Sequence, residues 1–187
     1  MQPVCGSLGT SVMRRRADPE RERRTGNSAW NDIPALCVAG SETAVRWLTA
    51  ICEAAGLTPP AGPGRPGTGI LVLAHPDSGE NLRALCRMAG ARRAVVSLDC
   101  PEGRALAASE EVETFTFSEG RDAADLTAKN VRLTGSGLTF MAVTRDALAR
   151  VTVPAEELYP ALAVLAAACW IGVPLEQAAA IVSRPLE

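Results

Sequence analysis

The sequence predicts an α/β fold in three layers: a parallel sheet with helical crossovers, an antiparallel edge hairpin and a C-terminal helix pair. Three short apolar runs at 33–39, 70–74 and 94–98 are typical of buried strands. Segments with the apolar period of amphipathic helices lie between them. Because parallel neighbours need a crossover connection, this alternation favours a parallel sheet with helices on its faces.

Two helices are predicted between the three apolar runs. The apolar residues of the first recur at spacings of three and four, as on one helix face: Val45, Leu48, Ile51, Cys52 and Ala55. The same pattern marks the second: Leu82, Leu85, Cys86 and Ala89. Gly56 and Gly90 supply the stops. The linker at 58–69 contains four prolines and four glycines, which exclude helix and central strand there.

After residue 110 the pattern changes. Segments 112–117, 126–133 and 138–143 alternate apolar and polar residues at period two. Turns such as Thr134-Gly135-Ser136-Gly137 separate them. This pattern predicts a hairpin or meander at the edge of the sheet.

The C-terminal part of the chain predicts two helices. An Ala/Leu-rich helix is expected over 155–171, and a shorter one over 175–182 begins after Pro174. Aromatic residues make up only 4% of the chain, so its core must be built from Ala, Val and Leu. Helices in such a core are expected to pack closely.

Residues 31–187 are predicted to form a single domain, preceded by a disordered tail at 1–30. In the tail, arginines alternate with acidic residues and no apolar period is present. An arm that touches RNA or a membrane is the alternative for an arginine-rich segment. The interspersed acidic residues favour a solvated tail instead.

Composition excludes several classes of partner. The 19 basic and 21 acidic side chains give a formal net charge of -2, so no global field draws the chain to nucleic acid or anionic lipid. No apolar run approaches the roughly 18 residues of a membrane span, and the N-terminus lacks the pattern of a signal peptide. A cytoplasmic protein with no membrane contact is expected. The cysteines are scattered and His75 is the only histidine, so no metal site is predicted.

A series of ordered motifs occupies the second half of the chain. The motifs are Val95-Val96-Ser97-Leu98-Asp99-Cys100-Pro101, Thr114-Phe115-Thr116-Phe117, Ala124-Asp125-Leu126-Thr127-Ala128-Lys129-Asn130-Val131 and Gly137-Leu138-Thr139-Phe140. Their order and spacing resemble the central domain of the Mur ligase family, which has V-V-N-x-D-D-P, T-F-G, A-D-x-x-A-x-N-V and G-x-x-F. Ser97 stands in place of the Asn, and Cys100 in place of the second Asp.

The resemblance covers about 93–182 well and 33–56 loosely. Downstream, Val153-Pro154-Ala155 and the Ala/Leu helix are similar to the family's L-P-G and N-V-Y-N-A-L-A-A-I-A-A-A series. The resemblance implies a truncated and divergent form of the P-loop-like Mur ligase central domain. Members of that family form an amide bond by phosphorylating a carboxylate with ATP, and an amine then displaces the phosphate.

The resemblance also implies where a phosphate loop would lie. The family's G-T-x-G-K-[ST] corresponds to Ala39-Gly40-Ser41-Glu42-Thr43-Ala44, which follows a predicted strand and opens a predicted helix. Gly40, Ser41 and Thr43 are therefore the candidate cofactor-binding residues, as a degenerate counterpart of that loop. The loop is shorter than the family's, and Glu42 adds a negative charge where phosphate would sit.

The loop contains no lysine, and Lys129 is the only lysine in the chain. The charge that stabilises a transferred phosphoryl group is therefore missing from the loop. Arg46 is the candidate substitute, although its planar fork suits a lysine's point-charge role poorly. No cofactor is expected, and no catalytic or metal-binding residue is assigned.

Other family features are also replaced. Glu157 and Pro160 stand where the family has the paired asparagines of N-V-Y-N, near the adenine. The stretch that carries the family's metal-binding Glu and His is contracted to 57–91. His75 is either a relic of that stretch or a lone surface histidine. The chain ends near Glu187, before the family's C-terminal domain would begin, so a complete ligase is not expected.

The leading hypothesis is a catalytically inactive Mur-ligase-like domain that acts through another protein chain, such as a complete ligase of cell-wall peptide synthesis. One alternative is an ATP-dependent acid–amino acid ligase subunit, using ATP and Mg, that a partner chain completes. A second is a small-molecule binding module at the crevice of the sheet. A decayed gene product is the remaining possibility.

Overall fold

The computed structural model describes residues 36–60, 69–74, 82–109, 111–135 and 137–184. The predictions for the tail at 1–30, for most of the proline- and glycine-rich linker and for His75 lie outside the described residues. Within those ranges, seven strands form one sheet in chain order.

Six strands and four helices lie close to the predicted segments, whereas the strand Leu148–Val153 and the helix Pro101–Ala107 were not predicted. The strands are β1 (Leu36–Ala39), β2 (Ile70–Leu73), β3 (Arg93–Ser97), β4 (Glu113–Ser118), β5 (Leu126–Thr134), β6 (Gly137–Thr144) and β7 (Leu148–Val153). The helices are α1 (Glu42–Ala54), α2 (Leu82–Ala89), α3 (Pro101–Ala107), α4 (Leu158–Trp170) and α5 (Leu175–Val182), and a single 3-10 turn (Ala155–Glu157) precedes α4.

The sheet is parallel from β1 to β5 and antiparallel from β5 to β7. Helices lie on both of its faces, and α4 and α5 form the C-terminal pair. The predicted fold class is therefore confirmed: three layers, a mainly parallel sheet with helical crossovers, an antiparallel edge and a terminal helix pair.

One part of the strand prediction is wrong. Segment 112–117 was assigned to the edge hairpin or meander, but β4 pairs in parallel with both β3 and β5. The reason is α3, which returns the chain to the start of β4. With seven residues, of which Gly103 and Leu106 are buried, α3 is too short to show a helical period. Alternation at period two is common to parallel and antiparallel strands, so it does not distinguish them.

Alternate residues of the strands face two separate cores. On one face, Val38 and Val72 pack with α1, α4 and α5 in a core that extends across β5, β6 and β7. On the other face, Cys37 and Leu71 pack with α2 and α3 in a smaller core confined to the first strands of the sheet. Within the described ranges, the helices that pack on the last three strands therefore all lie on one face.

The first two crossovers have opposite hands. β1, β2 and β3 follow one another in the same direction across the sheet, yet α1 lies on one face and α2 on the other. Since a helix on the opposite face reverses the hand, one of these connections is left-handed, against a right-handed rule of about 98%.

Two glycines of the β5–β6 hairpin test how closely the hairpin packs against the end of β7. Gly137 has φ of 123°, and a Cβ there would lie 2.3 Å from the Val153 carbonyl oxygen. We expect Gly137→Ala to lower the free energy of unfolding by about 2 kcal/mol or more, since strain and overlap combine. Gly135→Ala is the matched control, because a Cβ at Gly135 meets nothing within 4 Å. Urea unfolding of both variants measures the difference, and equal midpoints would contradict this packing.

Candidate functional site

The turn between β1 and α1 contains the three candidate binding residues. Gly40 has φ of 96°, which reverses the chain after Ala39. Ser41 is the N-cap of α1: its Oγ accepts a hydrogen bond from the Ala44 amide at 3.1 Å. Its carbonyl oxygen accepts from the Val45 amide at 3.3 Å. The strand–turn–helix context predicted for these residues is therefore present.

Two carboxylates lie at this helix N-terminus. Thr43 Oγ1 donates a hydrogen bond of 2.9 Å to Glu157 Oε1, which comes from the 3-10 turn before α4. Glu42 lies in the first turn of α1. Negative charge at a helix N-terminus is favourable by about 0.3–1 kcal/mol per group, because it opposes the helix dipole. The protein's own carboxylates thus provide the charge that a phosphate would otherwise supply.

The residues of this turn do not fit the terminal phosphates of ATP. A phosphate loop needs free amides, a hydroxyl for magnesium and a cation. Here the Ala44 amide is bonded to Ser41, and the Thr43 hydroxyl is bonded to Glu157. The chain's single lysine, Lys129, lies on β5 and forms an ion pair with Asp122. We derive no step of phosphoryl transfer through this turn.

A second polar cluster joins the carboxyl ends of β3 and β4. Asp99 Oδ1 accepts from the Ser118 hydroxyl at 2.5 Å, and Oδ2 accepts from the Glu119 amide at 2.8 Å. The Asp99 amide in turn donates to Ser97 Oγ at 3.1 Å. Asp99 belongs to the turn that resembles V-V-N-x-D-D-P. Both of its carboxylate oxygens are engaged within the chain, so the cluster acts as a clamp between two strands.

Cys100, the residue in place of the family's second Asp, caps α3. Its Sγ accepts from the Gly103 amide at 3.2 Å and donates to the Ser97 carbonyl at 3.6 Å. A Cβ at Gly103 would lie 1.9 Å from that carbonyl oxygen, so the turn requires glycine there. The sequence motif around Asp99 and Cys100 was recognised, but the role of Cys100 as the N-cap of α3 was not predicted. A Cys-Pro pair directly after a strand was the available signal, since proline favours the first turn of a helix.

The thiols are placed for packing and not for chemistry. Burial raises the pKa of Cys52 and of Cys169 to about 11, and burial also raises the pKa of Cys86. These thiols stay protonated near neutral pH, which suits neither a nucleophile nor a metal ligand. Among the described residues, no group of three or more His, Cys, Asp or Glu side chains is placed to hold a metal ion.

Comparison with known proteins gives a result at the level of fold. No family model matches the sequence, and no curated protein matches it significantly. Solved structures do match: a pseudomurein peptide ligase type C from Methanothermus fervidus at a TM-score of 0.62, with 10% identity over 82% of this chain and 50% of that one. The chain has a Mur-ligase-like fold.

Two further structures agree. MurF from Acinetobacter baumannii matches at a TM-score of 0.58 and 14% identity, over 81% of this chain and 45% of its own. The MurF ligase from Thermotoga maritima in complex with ADP matches at 0.55 and 12% identity, over 85% and 50%. The chain spans about half the length of these structures. The motif resemblance is thus confirmed for the Mur-ligase-like fold, and the roles of Gly40, Ser41 and Thr43 stay a prediction.

The described helices of this Mur-ligase-like chain include none that is long and apolar enough to cross a membrane.

The cap on α1 can be tested directly. Ser41→Ala removes the acceptor for the Ala44 amide, and we expect it to lower the free energy of unfolding by about 1 kcal/mol. Ser41→Asn is the control, because asparagine caps as well as serine without adding charge. Chemical denaturation of both variants gives the comparison. If alanine proved as stable as asparagine, Ser41 would not be acting as the cap.

Proposed function

We propose that this chain is a catalytically inactive Mur-ligase-like domain that acts by contacting another protein. The observation that carries the proposal is the hydrogen bond from Thr43 to Glu157 at the N-terminus of α1. The hydroxyl that a magnesium nucleotide would need is held by a carboxylate of the same chain. The proposed site of action is therefore the surface of the domain and not its phosphate loop.

Charge supports the proposed loss of catalysis. Phosphoryl transfer depends on positioned cations, because negative charge is spread over the transferred group. Glu42 and Glu157 place carboxylates where such cations would be needed. Two like unit charges about 4 Å apart repel by roughly 4 kcal/mol near a protein surface, so carboxylates at this turn oppose the binding of phosphate.

Packing supports the proposed use of the surface. The core residues on both faces of β1, β2 and β3 are buried, and the Asp99–Ser118 clamp is complete. A domain that keeps its core and its clamp while replacing its phosphate-binding side chains retains a rigid surface. We infer that contact with a complete ligase, or a neighbouring enzyme of cell-wall peptide synthesis, preserves that surface.

The second candidate is an ATP-dependent ligase subunit that a partner chain completes. The retained turn of β1, Gly40, Ser41 and α1 favours it, as does the likeness to a MurF ligase in complex with ADP. In this candidate the partner donates the missing lysine and the substrate-binding domains. A third candidate is a small-molecule binding module at the carboxyl ends of the parallel strands, where open α/β sheets bind ligands.

The nucleotide question is settled by titration calorimetry of the full chain with ATP and magnesium. We expect no binding heat at ligand concentrations up to about 1 mM, since the loop has no lysine and its Thr43 hydroxyl and Ala44 amide are already bonded within the chain. Micromolar binding would sink the proposal. In that event Arg46→Gln distinguishes the cause, because affinity that falls in this variant would assign the phosphate charge to Arg46.

The ligase candidate is tested on a complex. The chain is co-expressed with a complete Mur ligase, purified by a tag on this chain, and assayed for ATP hydrolysis with the ligase's own substrates. We expect the rate to equal that of the ligase alone, and to be unchanged by Thr43→Val. A rate that requires this chain and falls with Thr43→Val would favour the subunit candidate instead.

A further inference from the structure

None of the described helices covers one face of the β5–β6–β7 meander. The opposite face carries Ala128, Phe140, Ala142 and Val151 into the large core. The smaller core, which α2 and α3 cover, contains no residue of β5, β6 or β7 among those described. The side chains that alternate with the core residues are therefore directed away from α4 and α5.

Strand register brings cations and apolar side chains together on this face. Lys129 pairs with Met141, which pairs with Arg150 on β7. In the neighbouring row Val143 pairs with Leu148. A bulge between Lys129 and Arg132 keeps both of these side chains on the same face, because Arg132 pairs with Thr139, two residues from Met141. We call this set the meander face: Lys129, Arg132, Met141, Val143, Leu148 and Arg150.

The charge of the meander face is opposite to that of the chain. Arg145 in the β6–β7 turn adds a fourth cation, whereas the whole chain has a formal net charge of -2. Among the described residues, only Lys129 of these four has an ion-pair partner, Asp122. Leu148, the first residue of the edge strand β7, is 61% exposed, and Asp146 follows Arg145 in the turn. An acidic occupant would give Arg132, Arg145 and Arg150 partners of opposite charge.

An open cleft of about 370 Å³ lies at one end of the meander face. Lys129 and Arg145 line it with Ala124, Val143, Thr127 and Thr144, and the carboxylates of Asp122 and Asp125 complete the lining. Asp122 pairs with Lys129 and Asp125 accepts from Thr116, so both carboxylates already have partners within the chain. Arg145 is the cation of this cleft that a glutamate side chain would meet.

The outer edge of β7, which pairs with no described strand, offers backbone groups. The Thr152 amide points outward and donates to Ser183 Oγ at 3.2 Å, so α5 blocks that end of the edge. Amides alternate in direction along a strand, so those of Arg150 and Leu148 point outward as well. An extended segment could therefore add to β7 at this end only.

We propose that the meander face and its cleft are the docking surface for an acidic, extended segment of another protein chain. This rests on the proposed function, whose partner it describes by chemistry. Glutamate or aspartate side chains meet the four cations, and apolar side chains alternate with them over Met141, Val143 and Leu148. Nucleic acid fits less well, because phosphates gain nothing from Leu148. A second copy pairing through β7 would oppose Arg150 to Arg150.

The probe for this surface is a fluorescein-labelled, N-acetylated peptide of nine alternating Glu and Val residues, titrated with the full chain. We expect Arg132→Gln/Arg145→Gln/Arg150→Gln to weaken binding at least tenfold. The control Arg83→Gln/Arg87→Gln/Arg92→Gln removes the same charge from α2 and from the residue before β3, away from the meander face. We expect it to change binding less than about twofold. Circular dichroism confirms that both triple variants are folded.

Three outcomes would overturn the docking proposal: no binding of the peptide, equal weakening in both triple variants, or tighter binding of a single-stranded oligonucleotide of equal charge. A failed peptide test would not change the conclusion on ATP binding, because none of the substituted residues lies at the β1–α1 turn. Conversely, micromolar ATP binding would overturn the proposed inactivity without changing the peptide result. Formation of a dimer that the peptide cannot dissociate would also count against an acidic partner.

Lys129 allows the contact to be located. Because it is the only lysine, a carbodiimide can join a peptide carboxylate to just one side-chain amine of this chain. We expect a crosslink at Lys129 that Lys129→Arg abolishes while peptide affinity changes less than about threefold. Asp122→Asn removes the competing intrachain pair and should increase the yield. A crosslink confined to the N-terminal amine would show that the peptide lies elsewhere.

Discussion

Helix α4 is buried on almost its whole circumference, and its small side chains set the distances between the layers. Ala161, Ala163 and Ala166 have no exposed surface, and α1, α5 and the sheet all contact the same helix. A helix that is apolar all round can only be stable inside a core. With 4% aromatic residues in the chain, close approach of alanine-rich surfaces replaces bulky side chains as the source of packing energy.

This packing also determines what lies at the β1–α1 turn. Since α1 and α4 share one core, their N-terminal ends are neighbours. Glu157, just before α4, therefore accepts a hydrogen bond from Thr43 in the first turn of α1, 114 positions away in sequence. The same carboxylate serves structure in two ways: it accepts the Thr43 hydroxyl and adds negative charge near the N-terminus of α1. Glu157 thus couples the core to the β1–α1 turn.

The sequence contained enough to predict six of the seven described strands and most helices, but not β7. Apolar runs located β2 and β3, and Lys129 was identified as the only lysine without any structure. The pairing of β4 was not predictable, because period-two alternation is the same in parallel and antiparallel strands. Neither was the Thr43–Glu157 bond, since no local pattern relates residues that only tertiary packing brings together.

Cations on an edge strand have a simpler role that must be weighed against docking. Lysine and arginine at a sheet edge discourage pairing with other chains, and the Ser183 bond to Thr152 blocks part of β7 in the same way. That role explains Arg150 but not Leu148, whose exposed side chain on the edge strand would favour association. It also leaves the Lys129–Arg145 cleft without a purpose. A surface whose cations repel basic strands, and which presents an apolar contact beside those cations, selects for an acidic partner.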